Sequence, residues 1–163
     1  MAYCPKRILI VEDNKADVRL LKDILEASGY ETLQTGDGFE AISLVSAYPP
    51  DLILMDLQLP EISGLEVTRR LRGDARSRHI PIVAVTAFAM GWHESEALNS
   101  GCDAYISKPI SILGLLSTVE TFLSRFPHEV SSGFADLRDS RTGRPPSGWA
   151  AVSERFPLLA GSQ

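Results

Sequence analysis

Near its N-terminus the chain reads Arg7-Ile-Leu-Ile-Val-Glu-Asp-Asn14. The run of apolar residues that opens it is typical of a strand buried on both faces of a parallel sheet. A helical pattern follows over about residues 14–28, and Gly29 is placed to end that helix. This part of the sequence therefore predicts a β-strand that leads directly into an α-helix.

The same alternation repeats four more times along the chain. We predict further strands over residues 31–35, 51–56, 80–86 and 104–107, and helices over about residues 38–47, 64–72, 92–100 and 111–126. Short apolar runs that alternate with helices indicate βαβ units and a parallel sheet covered on both faces. With right-handed crossovers, the (βα)5 pattern predicts an α/β fold with a doubly wound five-stranded parallel sheet in the strand order 2-1-3-4-5.

Composition excludes several classes of protein. The 163 residues are 44% hydrophobic and 23% charged, which suits one globular domain with a buried core. The longest mostly apolar stretch, residues 80–90, has 11 residues, well short of the ~20 that a membrane-spanning helix needs. The net charge of −5 disfavours nucleic-acid binding. With Cys4 and Cys102 interpreted as reduced thiols and no signal-peptide pattern, we expect a cytoplasmic protein without a membrane or nucleic-acid partner.

Polar residues interrupt the apolar pattern at the carboxyl ends of four predicted strands. Glu12 and Asp13 follow the first strand, and Asp56 ends the third. Thr86 ends the fourth strand, and Lys108 follows the fifth. In a sheet of order 2-1-3-4-5 these loops meet at the edge where doubly wound proteins bind ligands. We therefore expect the five side chains to form one site.

A site with three carboxylates needs positive charge, because their repulsion otherwise raises the pKa of at least one of them. Lys108 supplies one cation, and a hard divalent ion such as Mg2+ suits carboxylate, carbonyl and water oxygens. An acidic cluster with a lysine and a hydroxyl is typical of phosphoryl transfer. Asp56 is the natural nucleophile, and attack by a carboxylate yields an acyl phosphate.

Two further features stay open on the residue pattern alone. The ring of Tyr105 is expected to pack on the sheet edge, with its hydroxyl either buried or exposed. A cis peptide bond between Lys108 and Pro109 would aim the lysine inward, but only ~5% of bonds before proline are cis. Neither point is decided by the pattern.

Four motifs together carry a family resemblance. They are Ile8-Leu-Ile-Val-Glu-Asp-Asn14, Leu52-Ile-Leu-Met-Asp56 followed by Leu59-Pro60 and Gly64, Ile82-Val-Ala-Val-Thr86-Ala87, and Tyr105-Ile-Ser-Lys108-Pro109. Across roughly residues 5–126 the chain resembles the receiver domain of bacterial two-component response regulators, and it is most similar to the DivK group of single-domain regulators. The resemblance implies a flavodoxin-like receiver fold over residues 1–126.

The resemblance also implies what the site residues do. Asp56 would be the phosphoacceptor, which takes a phosphoryl group from a phosphohistidine on a sensor histidine kinase or a histidine phosphotransferase. Glu12 and Asp13 would hold Mg2+. Asp56 and the backbone carbonyl of Gln58 would complete the protein's ligands to that ion.

The same resemblance implies a switch next to the phosphoacceptor. Lys108 would pair with the phosphoryl group, and Thr86 would move to hydrogen-bond it. Tyr105 would turn inward behind Thr86 as an aromatic switch. In this family the Lys108–Pro109 peptide bond is cis.

The function implied is a phosphorelay switch, in which phosphorylation changes contacts with a downstream protein target or a second copy of the chain. The surface used would be the fourth helix, fifth strand and fifth helix. The protein would assist its own phosphorylation and dephosphorylation without being a conventional enzyme, because phosphohydrolases of this type carry a second Asp where Gln58 stands. The alternative is an interaction module of receiver fold that acts on a kinase or scaffold independently of phosphorylation.

Residues 127–163 differ in composition from the rest of the chain. These 37 residues contain four Pro, four Gly and six Ser with balanced charge, and a short apolar segment begins at Trp149. They do not supply the basic DNA-binding domain that a transcription factor requires. We therefore expect a tail without an output domain, dispensable for phosphorylation of Asp56.

Overall fold

The computed structural model describes residues 4–87 and 91–125. That part of the chain contains, in order, β1 (Arg7–Val11), α1 (Lys15–Ala27), β2 (Glu31–Thr35), α2 (Gly38–Ala47), β3 (Leu52–Asp56), α3 (Gly64–Gly73), β4 (Ile82–Thr86), α4 (Gly91–Ser100), β5 (Ala104–Ser107) and α5 (Ile112–Arg125). The strands form one parallel sheet in the order β2-β1-β3-β4-β5. The predicted fold class and strand order are confirmed. The predicted tail, residues 127–163, lies outside the described residues.

The observed boundaries differ from the predicted ones by one or two residues, for local reasons. β4 begins at Ile82 rather than at Ile80, because Ile80 still donates its N–H to Ser77 O in the preceding turn and Pro81 has no N–H. α1 begins one residue later than predicted, because Asn14 is its N-cap. The alternation of strands and helices is unaffected by these shifts.

A side chain caps the start of each of the first three helices. Asn14 Oδ1 accepts hydrogen bonds from the backbone N–H of Ala16 (2.9 Å) and of Asp17 (3.3 Å) at the start of α1. Asp37 caps α2 and Ser63 caps α3 in the same way. Such caps satisfy N–H groups that a helix leaves unpaired at its start. The caps of α1 and α2 let these helices begin soon after β1 and β2 end, so Glu12 and Asp13 stay at the edge of the sheet.

The two faces of the sheet are covered by different helices, because alternate strand residues point to opposite faces. Packed with α1 and α5 are Ile8, Ile10, Leu52, Leu54, Val83 and Val85. Packed with α2, α3 and α4 are Leu9, Val11, Ile53, Met55, Ile82 and Ala84. The three central strands are therefore apolar except at an end residue, as the sequence predicted. Among the described helices, none has both the length and the apolar character that crossing a membrane requires.

Gly64, the first residue of α3, packs directly on the loop that follows β3. Its N–H donates to Leu57 O at 3.0 Å. A Cβ atom added there would lie 2.1 Å from the backbone oxygen of Asp56 and 2.9 Å from Leu57 Cα. Only glycine permits so close an approach. The start of α3 thereby fixes the backbone of Asp56.

We expect Gly64→Ala to lower the free energy of unfolding by roughly 3 kcal/mol, because the backbone must shift to admit the methyl group. Urea denaturation measures the change. Gly73→Ala is the matched control, because a Cβ at this last residue of the same helix meets no atom of another element within 4 Å. The control should unfold at the same urea concentration as the wild type or slightly above it. Equal destabilisation by the two substitutions would contradict this account of the packing.

Candidate functional site

The predicted acidic residues meet at the carboxyl ends of β1 and β3. Glu12 follows β1 directly and is buried, whereas Asp13 is exposed. Asp56 is the last residue of β3 and is 6% exposed. One carboxylate oxygen from each of Glu12, Asp13 and Asp56 lies within 4.8 Å of the other two. We call these three residues the acidic cluster.

Lys108 neutralises part of this charge from the loop after β5. Its Nζ donates to Glu12 Oε2 at 2.6 Å and to Asp56 Oδ2 at 3.3 Å. A third hydrogen bond, of 3.0 Å, runs to Asp17 Oδ2 in the first turn of α1. The peptide bond between Lys108 and Pro109 is cis. The lysine therefore bridges strand ends that are far apart in the sequence.

Backbone groups hold the buried carboxylates in place. Asn14 N donates to Glu12 Oε1 at 2.9 Å, and Gln58 N donates to Asp56 Oδ1 at 2.9 Å. Each of these carboxylates thus has one oxygen fixed by the loop that follows it and the other directed to Lys108. The site is organised by its own loops before any ligand binds.

The other two predicted residues lie beside the cluster, on the face covered by α4. Thr86 ends β4 and is 1% exposed, and its backbone oxygen accepts from Lys108 N at 2.9 Å. Tyr105 lies on β5 opposite Ala84, and its half-buried ring packs against the core on that face. Because Ala84 and Thr86 point to the same side of the sheet, Tyr105 and Thr86 share that side. Thr86 therefore lies next to the site. Tyr105 lies within β5, before the carboxyl end of that strand.

Burial and charge set the protonation of the site. Burial raises the pKa of Glu12 from its ordinary 4.5 to about 7, although hydrogen bonds from Lys108 and Asn14 act in the opposite direction. Burial by itself would lower the pKa of Lys108. Hydrogen bonds to Glu12 and Asp17 and the charge of Asp56 outweigh it, so this pKa lies above its ordinary value. The lysine stays charged, and the carboxylates around it outnumber it.

In the metal-free protein we expect the free energy of unfolding to fall as the pH rises from 4.5 to about 7. The folded protein keeps the proton of Glu12 across this window while the unfolded chain loses it, so stability declines by at most about 1.4 kcal/mol per pH unit. Urea denaturation at a series of pH values, in chelator, measures the slope.

Two variants test whether Glu12 causes this pH dependence of the free energy of unfolding. Glu12→Gln should flatten the dependence, whereas Glu26→Gln, at an exposed position of α1, should leave it unchanged. If the full slope survives in Glu12→Gln, a different group causes it.

The acidic cluster has the donor chemistry of a site for a hard cation. Its three side chains supply only oxygen ligands, which Mg2+ and Ca2+ prefer. Two of them are held by backbone N–H groups, and the exposure of Asp13 leaves a route from solvent. Three protein carboxylates also leave coordination positions open for water or a substrate oxygen. The residues present therefore fit a bound divalent cation.

A groove of about 580 Å³ opens beside the cluster, between α1 and the end of β2. Basic side chains on one side of α1 line it, together with the exposed Asp13. They are Lys15, Arg19 and Lys22. Positive charge along the approach to an acidic site attracts anionic groups such as phosphates.

Sequence reasoning missed one member of the site, Asp17. It belongs to a helix, whereas the carboxylates predicted from the sequence stand at strand ends. Its position in the first turn of α1, directly after the acidic pair, was an available signal, because that turn lies next to the end of β1. The other predicted residues lie at the site or beside it.

The sequence around this geometry matches a known family. The response regulator receiver domain matches residues 8–120, more than half of the chain. The chain belongs to the response regulator receiver family. This receiver is 54% identical over 119 residues to the polar-differentiation response regulator DivK of Brucella anthropi, covering 73% of this chain and 97% of the relative. It is 53% identical over 118 residues to DivK of Brucella ovis, covering 72% and 96%.

Solved structures agree with this membership. The receiver domain of a sensor histidine kinase from Pseudomonas aeruginosa, solved with a magnesium ion coordinated in its active-site cleft, is 30% identical with a TM-score of 0.70, covering 74% of this chain and 99% of that one. The signal receiver domain of a histidine kinase from Syntrophus aciditrophicus is 35% identical with a TM-score of 0.72, covering 80% and 99%. The predicted receiver family and the resemblance to DivK are confirmed.

Proposed function

We propose that this receiver accepts a phosphoryl group on Asp56 from a phosphohistidine of a sensor histidine kinase or histidine phosphotransferase. The observation that carries the proposal is the position of the Asp56 carboxylate, which belongs to the acidic cluster and contacts Lys108 Nζ at 3.3 Å. Its other oxygen is fixed by Gln58 N at 2.9 Å. A carboxylate held in this way is oriented for attack on phosphorus.

The proposed reaction exchanges one bond to phosphorus for another. An Asp56 carboxylate oxygen forms an O–P bond as the P–N bond of the donor's phosphohistidine breaks. The electron pair of the broken bond goes to the imidazole nitrogen, which leaves as neutral histidine after taking up a proton. Lys108 faces the charge that builds on the phosphoryl oxygens, a charge-assisted contact.

We assign Mg2+ to the acidic cluster. Glu12, Asp13 and Asp56 would hold it, together with the backbone carbonyl of Gln58. When bound, the ion neutralises negative charge on the carboxylates and on the incoming phosphoryl group. The oxygen-only donor set of the cluster supports this assignment.

The switch is proposed to run through Thr86 and Tyr105. The Thr86 hydroxyl would turn to the phosphoryl group, and Tyr105 would fill the space behind it. This change would bias the surface formed by α4, β5 and α5 toward a downstream protein target or a second copy of the chain. Support comes from the placement of the two side chains on one side of the sheet, beside the site.

The proposal extends to the domain organisation and the cellular location of the protein. We infer a receiver over residues 1–126, followed by a tail over residues 127–163. It acts as a cytoplasmic phosphoprotein that assists its own phosphorylation and dephosphorylation and is not a conventional enzyme. The free thiols of Cys4 and Cys102 are compatible with the reducing cytoplasm.

A transfer assay tests the proposal. A histidine kinase labelled with radioactive phosphate is mixed with this protein in Mg2+, and the label is followed on a gel. We expect it to move from the kinase to the receiver. The rival function, binding to a kinase independently of phosphorylation, predicts equal kinase affinity with and without phosphate and no transfer. Binding without transfer from any kinase of the host would favour that rival.

A further inference from the structure

The ammonium group of Lys108 has three N–H donors, and the structure assigns each of them to a carboxylate. The acceptors are Glu12 at 2.6 Å, Asp17 at 3.0 Å and Asp56 at 3.3 Å. The Lys108 side chain is 16% exposed and that of Asp17 is 29% exposed. Partial burial reduces the screening that weakens ion pairs at the surface. Asp17 is thus a full partner of the lysine.

The three acceptors differ in their relation to the acidic cluster. Glu12 and Asp56 belong to it, so both carboxylates are shared with any cation bound there. Asp17 lies outside the cluster and contacts Lys108 from α1. Its hydrogen bond to the ammonium group therefore does not compete with a cation bound at the acidic cluster.

The backbone of Asp17 is itself fixed to the site. Asn14 Oδ1 accepts from Asp17 N at 3.3 Å, and Asn14 N donates to Glu12 Oε1 at 2.9 Å. One capping residue therefore ties the first turn of α1 to a carboxylate of the acidic cluster. This arrangement fixes the backbone position from which the Asp17 side chain reaches Lys108.

We propose that Asp17 is a positioning residue, which holds the Lys108 ammonium beside Asp56 when the carboxylates of the acidic cluster bind a cation. The inference rests on the proposed function, because it concerns how Lys108 stays in place to meet the phosphoryl group. Removal of the charge of Asp17 leaves the ammonium with only acceptors that are shared with the cation. Lys108 then spends less time in the productive position.

A nitrogen-detected NMR measurement reads this effect without any phosphorylation. The Nζ protons of Lys108 should exchange slowly with water in the wild type, and about tenfold faster in Asp17→Asn with Mg2+ present. Asp17→Glu, which restores a carboxylate, should recover part of the protection. Asp23→Asn is the matched control, because it removes one charge from the same helix at an exposed position, where Asp23 pairs with Arg19 at 4.0 Å. The control should exchange like the wild type.

Phosphorylation by acetyl phosphate in Mg2+ supplies the second readout. Asp17→Asn should react about tenfold more slowly than the wild type, and Asp23→Asn at the wild-type rate. Identical Lys108 exchange and identical rates in Asp17→Asn and Asp23→Asn would overturn the inference. A wild type that takes no label from a phosphorylated histidine kinase would instead overturn the proposed function, and the exchange measurement would still decide the role of Asp17.

Discussion

Asp56→Asn should abolish transfer of phosphate from a labelled histidine kinase, with the signal reduced to background. The amide that replaces the carboxylate is a poor nucleophile and does not form an acyl phosphate. The change is isosteric and removes one of the negative charges that crowd around Lys108. The variant should therefore stay folded, which circular dichroism and urea denaturation would verify.

The matched control for this loss is Asp37→Asn. Asp37 is an exposed residue that caps α2 by accepting from the backbone N–H of Phe39 and Glu40. Asparagine caps a helix as well as aspartate does. This control should accept phosphate at the wild-type rate. Undiminished labelling of Asp56→Asn would show that another residue is the acceptor.

Removal of divalent cations should produce the second large effect. In excess chelator we expect the rate of phosphoryl transfer to fall by roughly a hundredfold, because a bound cation contributes several kcal/mol to neutralising the charge that gathers on the reacting groups. The acidic cluster places three carboxylates within 4.8 Å, so the phosphoryl group would otherwise approach unneutralised negative charge. Stopped-flow or quenched transfer reactions measure the rate.

Added Mg2+ should restore the rate of the chelated protein, and the metal itself should be detectable independently of transfer. Asp13→Asn removes the exposed member of the cluster without changing the hydrogen bonds of Lys108, which run to Glu12, Asp17 and Asp56. Calorimetry should therefore show weaker Mg2+ binding in that variant than in Asp37→Asn. Equal transfer rates in chelator and in Mg2+ would rule out the metal assignment.

The fold was predictable because its signals are local and repeated. Short apolar runs such as residues 52–55 are typical of strands buried on both faces when they alternate with helical patterns, and the helices between them leave few topologies. The exact ends were less predictable, because they depend on single hydrogen bonds. The N–H of Ile80, which bonds within the preceding turn, is one example.

Which residues meet at the site was predictable from their positions at strand ends. Glu12, Asp56 and Lys108 stand at strand ends, and a parallel doubly wound sheet brings strand ends to one edge. Asp17 was missed because its role depends on the direction of a helical side chain and on the reach of Lys108. Those are properties of three-dimensional packing, and a strand-end pattern does not contain them.

Other contacts have no counterpart in the sequence pattern. The approach of Gly64 to the backbone of Asp56 appears in the sequence only as a glycine at a helix start. Arg72 has no role predicted from the sequence, yet its guanidinium donates to the backbone oxygens of Gly101 and Ile80 and to Asp103 Oδ2. It joins the end of α3 to the turns that flank β4 and β5. Such contacts depend on which surfaces meet after folding.

The central claim, that Asp56 is the phosphoacceptor, is tested most directly by locating the phosphoryl group itself. The wild-type protein is phosphorylated in Mg2+, the acyl phosphate is reduced with borohydride, and the peptides are sequenced by mass spectrometry. Borohydride converts an aspartyl phosphate to homoserine, so the modified residue is identified by its change in mass. We predict that homoserine is found at position 56 and nowhere else. Homoserine at another aspartate, with Asp56 intact, would contradict the account.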